Sequence, residues 1–335
     1  IWTIACVDRS DVGWSEPSDG FDYIKVWHKN KPINPETGLR NPTVVNCSWG
    51  HRQFVRYNLD YNATFRGTTY SRTQVNAAAN AVPAVYYLET NSVYYEFTSR
   101  RTTGQTEADE LVNDADCQNV VLICSAGNSN GKQEIKDGTD YNNQFTSGTF
   151  YYGSGYDAYY NRSGTPAITR EGEDDAVIKV ASLDSTRQTG SQERTSNFSD
   201  RGPTIDIWAA GSTVLSPWSS GYDDPRDNSF HNQYLNGTSM ASPNVSGVIA
   251  QHLESDPTAT RKSVRTWLLS TGSVELSSSD FYDPYTSNGA TDTNYWGNSY
   301  SLKSSPRRVL YNPYANNTVP KMSGVVLSGV SVTQT

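Results

Sequence analysis

The feature that most constrains the fold is an uninterrupted apolar stretch, NVVLICSAGN (119–128), directly preceded by a segment with helical spacing, EADELVNDADCQ (107–118). A half-exposed strand would alternate apolar and polar residues, so this strand must be covered on both faces. A helical pattern at 21–30 precedes a second apolar strand at 42–50 in the same way. This repeated order predicts an α/β fold with a doubly wound, mostly parallel sheet.

Later segments extend this pattern. Strands are predicted at 175–182 and 204–211, and helices at 236–253 and 260–272. Two polar stretches, 51–105 and 129–164, show no sustained period and are predicted to be long irregular insertions. The C-terminal part is rich in Ser, Asn and Tyr and carries only a weak strand signal, at 325–332.

Charge and hydropathy exclude two classes of partner. The 335 residues carry a formal net charge of −8, which gives no electrostatic footprint for nucleic acid. No apolar run approaches the ~18 residues that span a bilayer, so no membrane partner is expected. The first residue is Ile1 and no signal peptide is present, so we expect a piece of a longer polypeptide. The spacing of the four cysteines does not suit zinc and favours buried free thiols.

The candidate nucleophile is Ser239, in the segment Gly237–Pro243 at the start of a predicted helix. Backbone N–H groups in the first turn of a helix lack intrahelical acceptors, and the helix dipole is positive there. A serine at this position can attack a carbonyl while its own N–H binds the resulting oxyanion. The alternative is a helix N-cap, since Ser and Thr are preferred caps.

Three segments together resemble the subtilisin-like serine proteases, or subtilases. Gly-Thr-Ser-Met-Ala-Ser-Pro (237–243) is similar to the nucleophile motif of that family without a mismatch. Ser-Ala-Gly-Asn (125–128) resembles the oxyanion-hole segment, which implies that Asn128 donates to the developing negative charge. Taken alone, Asn128 would be a left-handed turn residue after a strand. Asn-Cys-Ser-Trp-Gly (46–50) is similar to the strand that lines the substrate cleft.

The resemblance implies a peptide-binding cleft and a domain organisation. Its implied substrate-binding residues are Ser48, Trp49, Gly50, Ser125, Ala126 and Gly127. Residues 1–275 would form a subtilisin-like domain that lacks its N-terminal third, and residues 276–335 a C-terminal extension. No metal ligand set is implied. Asp-bearing loops at 137–140 and 223–227 could bind calcium, as subtilases often do, but their spacing favours solvated turns.

The residues that would activate the nucleophile are not recognisable in this sequence. A triad needs a histidine base and an acid that orients it, and none of the four histidines lies in the motif expected for that family. Asp8 follows an apolar segment as the acid would. However, it lies only 39 positions before Cys47, too few for the intervening elements. Residues 2–8 therefore match the strand that follows the histidine helix.

Two hypotheses from different classes follow. The first is a serine endopeptidase that hydrolyses peptide bonds through an acyl-enzyme, with the triad Asp and His upstream of Ile1 and residues 1–335 inactive alone. Its partners would be a polypeptide substrate and an upstream segment or partner chain that covers the missing third. The alternative is a non-catalytic, subtilase-like structural or binding protein, such as a component of a tailed-bacteriophage virion, since long polar loops suit assembly surfaces.

Two glycosylation sequons bear on the compartment. Asn46-Cys47-Ser48 falls in a predicted core strand, and Asn236-Gly237-Thr238 lies beside the candidate nucleophile. Sugars at either position would be incompatible with folding or activity, which disfavours a glycosylating secretory pathway. An extracellular or virion-associated location is therefore expected.

Overall fold

A computed structural model describes residues 17–49, 53–54, 62–71, 73–74, 94–95, 103–147, 158–159, 161, 177–184, 192–218, 220–224, 227–282 and 302–315. The strands predicted at 2–8 and 325–332 lie outside these residues, as do Gly50 and His51. The helices are α1 (Pro17–Lys29), α2 (Thr103–Asn113), α3 (Thr238–Ser255) and α4 (Arg261–Ser270).

The strands form four sheets among the described residues. In chain order they are β1 (Thr43–Cys47), β2 (Gln53–Phe54), β3 (Asn62–Phe65), β4 (Thr68–Ser71), β5 (Tyr94–Tyr95), β6 (Val120–Ser125), β7 (Gln144–Ser147), β8 (Ala158–Tyr159), β9 (Ile178–Leu183), β10 (Ile207–Ala210), β11 (Val214–Trp218), β12 (Tyr222–Asp224), β13 (Asp227–Leu235), β14 (Ser273–Glu275) and β15 (Arg308–Leu310). The largest sheet has six strands in the order β1-β6-β9-β10-β15-β14.

The six-stranded sheet confirms the predicted α/β class. Its first five strands pair in parallel, and only β14 is antiparallel to its neighbour. Every residue of β6 is buried, which explains its continuous apolar sequence. Val120, Leu122 and Cys124 pack in one core with α1 and α2, whereas Val121 and Ile123 pack in another with α3 and α4. Helices therefore cover both faces, as a doubly wound sheet requires.

The C-terminal segment contributes to this central sheet. Strand β15 lies between β10 and β14, and Trp208 of β10 is in register with Val309. The fully buried Trp208 ring packs on Phe281, and its indole N–H donates to the Pro306 carbonyl oxygen at 2.8 Å. The backbone from 302 to 310 is thus part of the core.

The described parts of the two insertions contain more regular structure than their sequences predict. Strands β3 and β4 of the first insertion join β7 and β8 of the second in one four-stranded sheet, in the order β4-β3-β7-β8. The expectation of irregular insertions is corrected at these strands. Short strands paired far from the central core need no long apolar run, so sequence periodicity does not reveal them.

The three described cysteines are buried free thiols at Cys47, Cys117 and Cys124. Cys47 and Cys124 are direct partners in the β1–β6 register, and burial raises the pKa of the Cys124 thiol. None of the described helices is long and apolar enough to cross a membrane.

We expect the buried histidine His28 to make folding stability fall in acid. Its ring is fully buried, and Nδ1 is 2.7 Å from the Thr43 hydroxyl. Burial, with a smaller effect of Lys31, lowers the His28 pKa below 6.5. The unfolded chain therefore binds a proton first, and stability present above pH 6.5 is lost as pH falls toward the folded pKa. One such group changes stability by at most about 1.4 kcal/mol per pH unit.

Urea unfolding at pH 7.5 and pH 5.5 measures this effect. His28→Gln should lose less stability between the two pH values than the native chain does. Burial also lowers the His252 pKa, so part of the dependence should remain. His231→Gln is the control, because that side chain lies partly exposed on a hairpin. An unchanged pH dependence in His28→Gln would contradict the assignment.

Candidate active site

Ser239 lies in the first turn of α3, as predicted, directly after a backbone turn at Gly237. Gly237 has φ +155°, a conformation that side-chain-bearing residues rarely adopt. A β-carbon built there would be 3.5 Å from Asn128 Nδ2. The turn therefore brings the start of α3 next to the side chain of Asn128.

Reciprocal hydrogen bonds join the Ser239 turn to the residue after β1. The Ser239 hydroxyl donates to the Ser48 carbonyl oxygen at 3.1 Å, and the Ser48 hydroxyl donates to the Ser239 carbonyl oxygen at 2.9 Å. The Ser48 hydroxyl is also 3.1 Å from the hydroxyl of Ser242. Ser239 itself is half-buried, so its hydroxyl is fixed by the protein but not sealed from solvent.

Asn128 is anchored through its carbonyl oxygen. Its Oδ1 accepts from the Thr238 backbone N–H at 2.8 Å and from the Thr238 hydroxyl at 3.0 Å. The Thr238 hydroxyl in turn accepts from the Gly127 N–H at 3.1 Å. These contacts fix Oδ1 and leave Nδ2 as the donor end of the amide, on the side of Gly237.

The parallel register brings the cleft segments together at the carboxyl edge of the sheet. Because Cys47 pairs with Cys124, the residues that follow β1 and β6 emerge side by side. Ligands of open α/β sheets bind outside this edge of the sheet. The Ser239 hydroxyl and the Asn128 side chain thus both lie at this edge of the sheet.

The predicted substrate-binding residues differ in what they can offer a ligand. Ser125, Ala126 and Gly127 are buried, so this strand end presents mainly backbone atoms. Trp49 is half-buried and packs on Phe21, with ring centroids 6.2 Å apart. Gly50 lies outside the described residues.

Comparison with known proteins places this arrangement in a family. The model of the subtilase family, Peptidase_S8, matches residues 13–300. The chain belongs to the subtilase family. That match confirms the resemblance seen at residues 125–128 and 237–243.

Individual relatives match parts of this subtilase. It is 30% identical to subtilisin DY of Bacillus licheniformis over 184 residues, 54% of this chain and 49% of that protein. It is 43% identical to an extracellular protease of Xanthomonas campestris over 96 residues, 28% of this chain and 15% of that protein. The chain thus spans about half the length of subtilisin DY and much less of the second relative.

Solved structures give a looser match. A cold-adapted subtilisin-like serine proteinase aligns with 88% of this chain and 60% of its own, at 17% identity and a TM-score of 0.38.

No described histidine of this subtilase contacts Ser239. His28 bonds Thr43 at the amino end of β1, about 16 Å of strand before Ser48. His252 lies 13 residues along α3, about 20 Å from Ser239, and stacks on Trp267 at 3.8 Å.

His231 lies on the exposed hairpin of β11 to β13. Its Nδ1 is 3.1 Å from Asp223 Oδ1. Five residues of chain, about 16 Å when extended, separate it from Asn236. The fourth histidine, His51, is outside the described residues.

The two Asp-bearing loops use their carboxylates for protein contacts. Asp140 is fully buried and accepts from Arg66 Nε and from Lys132 Nζ, each at 2.8 Å. Asp223 pairs with His231. Within the described residues, no group of three or more His, Cys, Asp or Glu could hold a metal ion.

The sequence does not indicate the roles of two residues, Thr238 and Asp200, that help to position the site. Thr238 belongs to the recognised motif, but only its contacts show that it anchors Asn128. Asp200 lies between Ser199 and Arg201 with no local pattern that marks it, yet its carboxylate reaches the loop that carries Asn128. Its signal is tertiary, because 71 positions separate it from Ser129.

Proposed function

We propose that this chain carries the nucleophile and oxyanion hole of a serine endopeptidase that hydrolyses peptide bonds through an acyl-enzyme. The observation that carries the proposal is the placement of the Asn128 amide beside the first turn of α3, where Ser239 presents its hydroxyl. A helix cap alone would not require an anchored amide with its donor end directed at the same turn. Membership of the subtilase family supports the same chemistry.

The proposed reaction begins with attack of Ser239 Oγ on the scissile carbonyl carbon. The carbonyl oxygen then becomes an oxyanion that accepts from Asn128 Nδ2 and from the Ser239 backbone N–H. Both donors lie at the positive end of α3, which favours the negative charge. The serine proton passes to a base and then to the leaving amine, and water hydrolyses the resulting ester.

The base and its orienting acid are proposed to lie on a segment upstream of Ile1. In the part of the chain that the structure describes, β1 pairs on one side only, with β6. The backbone groups on the other edge of β1 have no strand partner among the described residues, and Val44 and Val45, which project to opposite faces of the sheet, are only half-buried. The strand predicted at residues 2–8, or a strand from the upstream segment or a partner chain, would pair there, directly before Ser48.

The proposed substrate is a polypeptide that lies against the ends of β1 and β6. Backbone groups at 48–50 and 125–127 would bind its main chain, with Trp49 at the wall of the cleft. We propose no metal for the reaction, because the mechanism requires only a nucleophile, a base and oxyanion donors. One relative, named an extracellular protease, favours an extracellular location.

The alternative is a subtilase-like binding or structural protein. It is favoured by the sheet that joins the two insertions, since strands added outside the catalytic core extend the surface. A phage virion component is one form of this alternative. Reactivity of Ser239 distinguishes the two functions.

We expect a fluorophosphonate to label Ser239 in the parent polypeptide that includes the upstream segment. Mass spectrometry of the labelled peptide should place the adduct on residue 239, and Ser239→Ala should remove it. Ser246→Ala is the matched control, since this serine lies on α3 but its hydroxyl donates to the Ser242 carbonyl oxygen at 3.0 Å. A parent that contains the upstream Asp and His yet leaves Ser239 unlabelled would refute the endopeptidase and favour the alternative.

A further inference from the structure

The loop that carries Asn128 is held on both sides by one buried residue, Asp200: its carboxylate binds the residues after Asn128, and its backbone N–H binds the residue before it. Its Oδ1 accepts from the Ser129 N–H at 3.0 Å and from the Gly131 N–H at 2.7 Å. Its own N–H donates to the Gly127 carbonyl oxygen at 2.9 Å. These three bonds hold Gly127 before Asn128, and Ser129 and Gly131 after it.

Further contacts fix the carboxylate in place. Asp200 is 2% exposed, and its Oδ2 accepts from Gln133 Nε2 at 3.3 Å. The same Gln133 amide donates to the Ala126 carbonyl oxygen, one residue before the loop. A β-carbon at Gly131 would lie 3.3 Å from Asp200 Oδ1, so glycine permits this close approach.

Two buried basic side chains, Arg201 and Lys303, contact the loop at Asn130. Arg201 Nη1 donates to Asn130 Oδ1 at 2.5 Å, and Lys303 Nζ donates to the Asn130 carbonyl oxygen. They bind Asn130, whereas Asp200 contacts both neighbours of Asn128. Asp200 is therefore the buried side chain placed to set the position of the Asn128 amide.

We propose that Asp200 is a positioning residue that keeps the Asn128 donor at hydrogen-bond distance from the oxyanion. This inference rests on the proposed function. Oxyanion donors act at 2.7–3.1 Å, and a misplacement of about 1 Å can cost ~10²-fold in rate. The Asp200 carboxylate limits such movement because it binds two N–H groups of the loop directly after residue 128, while the Asp200 backbone N–H holds the carbonyl group of Gly127.

Asp200→Ala in the parent polypeptide tests the proposal by kinetics. We expect kcat to fall at least ~10-fold with KM changed less than about twofold, because only the transition state carries the oxyanion. Asp200→Asn should recover most of the loss, since its Oδ1 can still accept from both N–H groups. Asp184→Ala is the matched control: it removes another partly buried carboxylate, which pairs with Arg194 at 2.7 Å. Equal losses in Asp184→Ala and Asp200→Ala would overturn the proposal.

A double-mutant cycle separates positioning from general stability. If Asp200 acts through Asn128, Asp200→Ala should reduce kcat less than about twofold in an Asn128→Ala background. Independent, additive losses would overturn the proposal. Should Asp200→Ala fail to fold, Gly131→Ala replaces it, because the added methyl group displaces the carboxylate by only tenths of an ångström. A severalfold fall in kcat at constant KM supports the proposal, and an unchanged kcat overturns it.

A crystallographic comparison remains decisive if the proposed function fails. Failure of the function would appear as a native parent with no Ser239-dependent turnover. In that case, the position of the Asn128 amide can still be compared between crystal structures of the native and Asp200→Ala proteins. Gly131→Ala replaces Asp200→Ala if that variant does not fold. Displacement of Asn128 Nδ2 beyond the coordinate error, by about 1 Å in Asp200→Ala or by some tenths of an ångström in Gly131→Ala, supports the positioning role, and an amide that is unmoved within that error overturns it.

Discussion

Residues 1–335 alone will neither hydrolyse peptides nor react with a fluorophosphonate. None of the described histidines contacts Ser239, whose hydroxyl donates to the Ser48 carbonyl oxygen. Without a base, the serine keeps its proton and remains a weak nucleophile. Loss of the histidine in a related triad enzyme costs on the order of 10⁶ in turnover, and an oxyanion hole with binding alone retains ~10³–10⁴ over water.

Adding the upstream segment should restore the reaction, provided that it carries an Asp and a His. The measurement is the rate of fluorophosphonate labelling, compared between residues 1–335, the parent polypeptide, and the parent with Ser239→Ala. A peptide aldehyde that competes with the probe for the active site is added to a parallel aliquot of each sample. Labelling that the aldehyde prevents is labelling at that site. Robust Ser239-dependent hydrolysis by residues 1–335 alone would show that the base lies within the chain, with His51 and His231 as the first residues to substitute.

The central sheet could be predicted because its buried strands consist mainly of consecutive apolar residues. Strand β6 is buried on both faces and appears as a continuous apolar run. Its neighbour β9 is also buried throughout and is mostly apolar, although it contains Lys179 and Ser182. The order of helix and strand then fixes a parallel sheet, since parallel strands need crossover connections. These signals are local and strong.

The peripheral sheets could not be predicted in this way. Residues 214–235 lie between the strand predicted at 204–211 and the helix predicted at 236–253, and they fold into the three-stranded sheet β11-β13-β12. Large apolar side chains remain exposed on it, including Leu215, Tyr222 and Phe230, so burial imposes no clear alternation. Strand β15 was missed because three residues are too few to show a period.

The candidate residues Ser239 and Asn128 can be identified from sequence motifs. The tertiary contacts that hold these residues cannot be identified from the sequence. The sequence predicts that Ser239 and Asn128 approach each other, and the structure places them at one turn. The reciprocal bonds between Ser48 and Ser239 join positions 191 apart. Such pairs leave no periodic trace in a single sequence, because each partner is only a common polar residue locally.

Asn128→Asp is expected to reduce kcat of the active parent by at least 10²–10³-fold, the typical cost of removing one oxyanion donor. The substitution keeps an oxygen at Oδ1, so the bonds from the Thr238 backbone N–H and hydroxyl can remain. It replaces the Nδ2 donor with an acceptor. A carboxylate there repels the oxyanion, so Asn128→Asp should be at least as slow as Asn128→Ala.

Comparing Asn128→Asp with Asn128→Ala separates catalysis from folding, because only Asn128→Ala removes the oxygen that accepts from Thr238. Asn128→Ala removes the acceptor for Thr238 and should lower the thermal midpoint, whereas Asn128→Asp should retain most of it. KM should change little in either variant, since the ground-state carbonyl carries no full charge. Steady-state kinetics with a peptide substrate and thermal unfolding measure both quantities. The contrary result would be an Asn128→Asp variant with both kcat and thermal midpoint close to those of the native protein. Asn128 would then be an anchor for α3 and not an oxyanion donor.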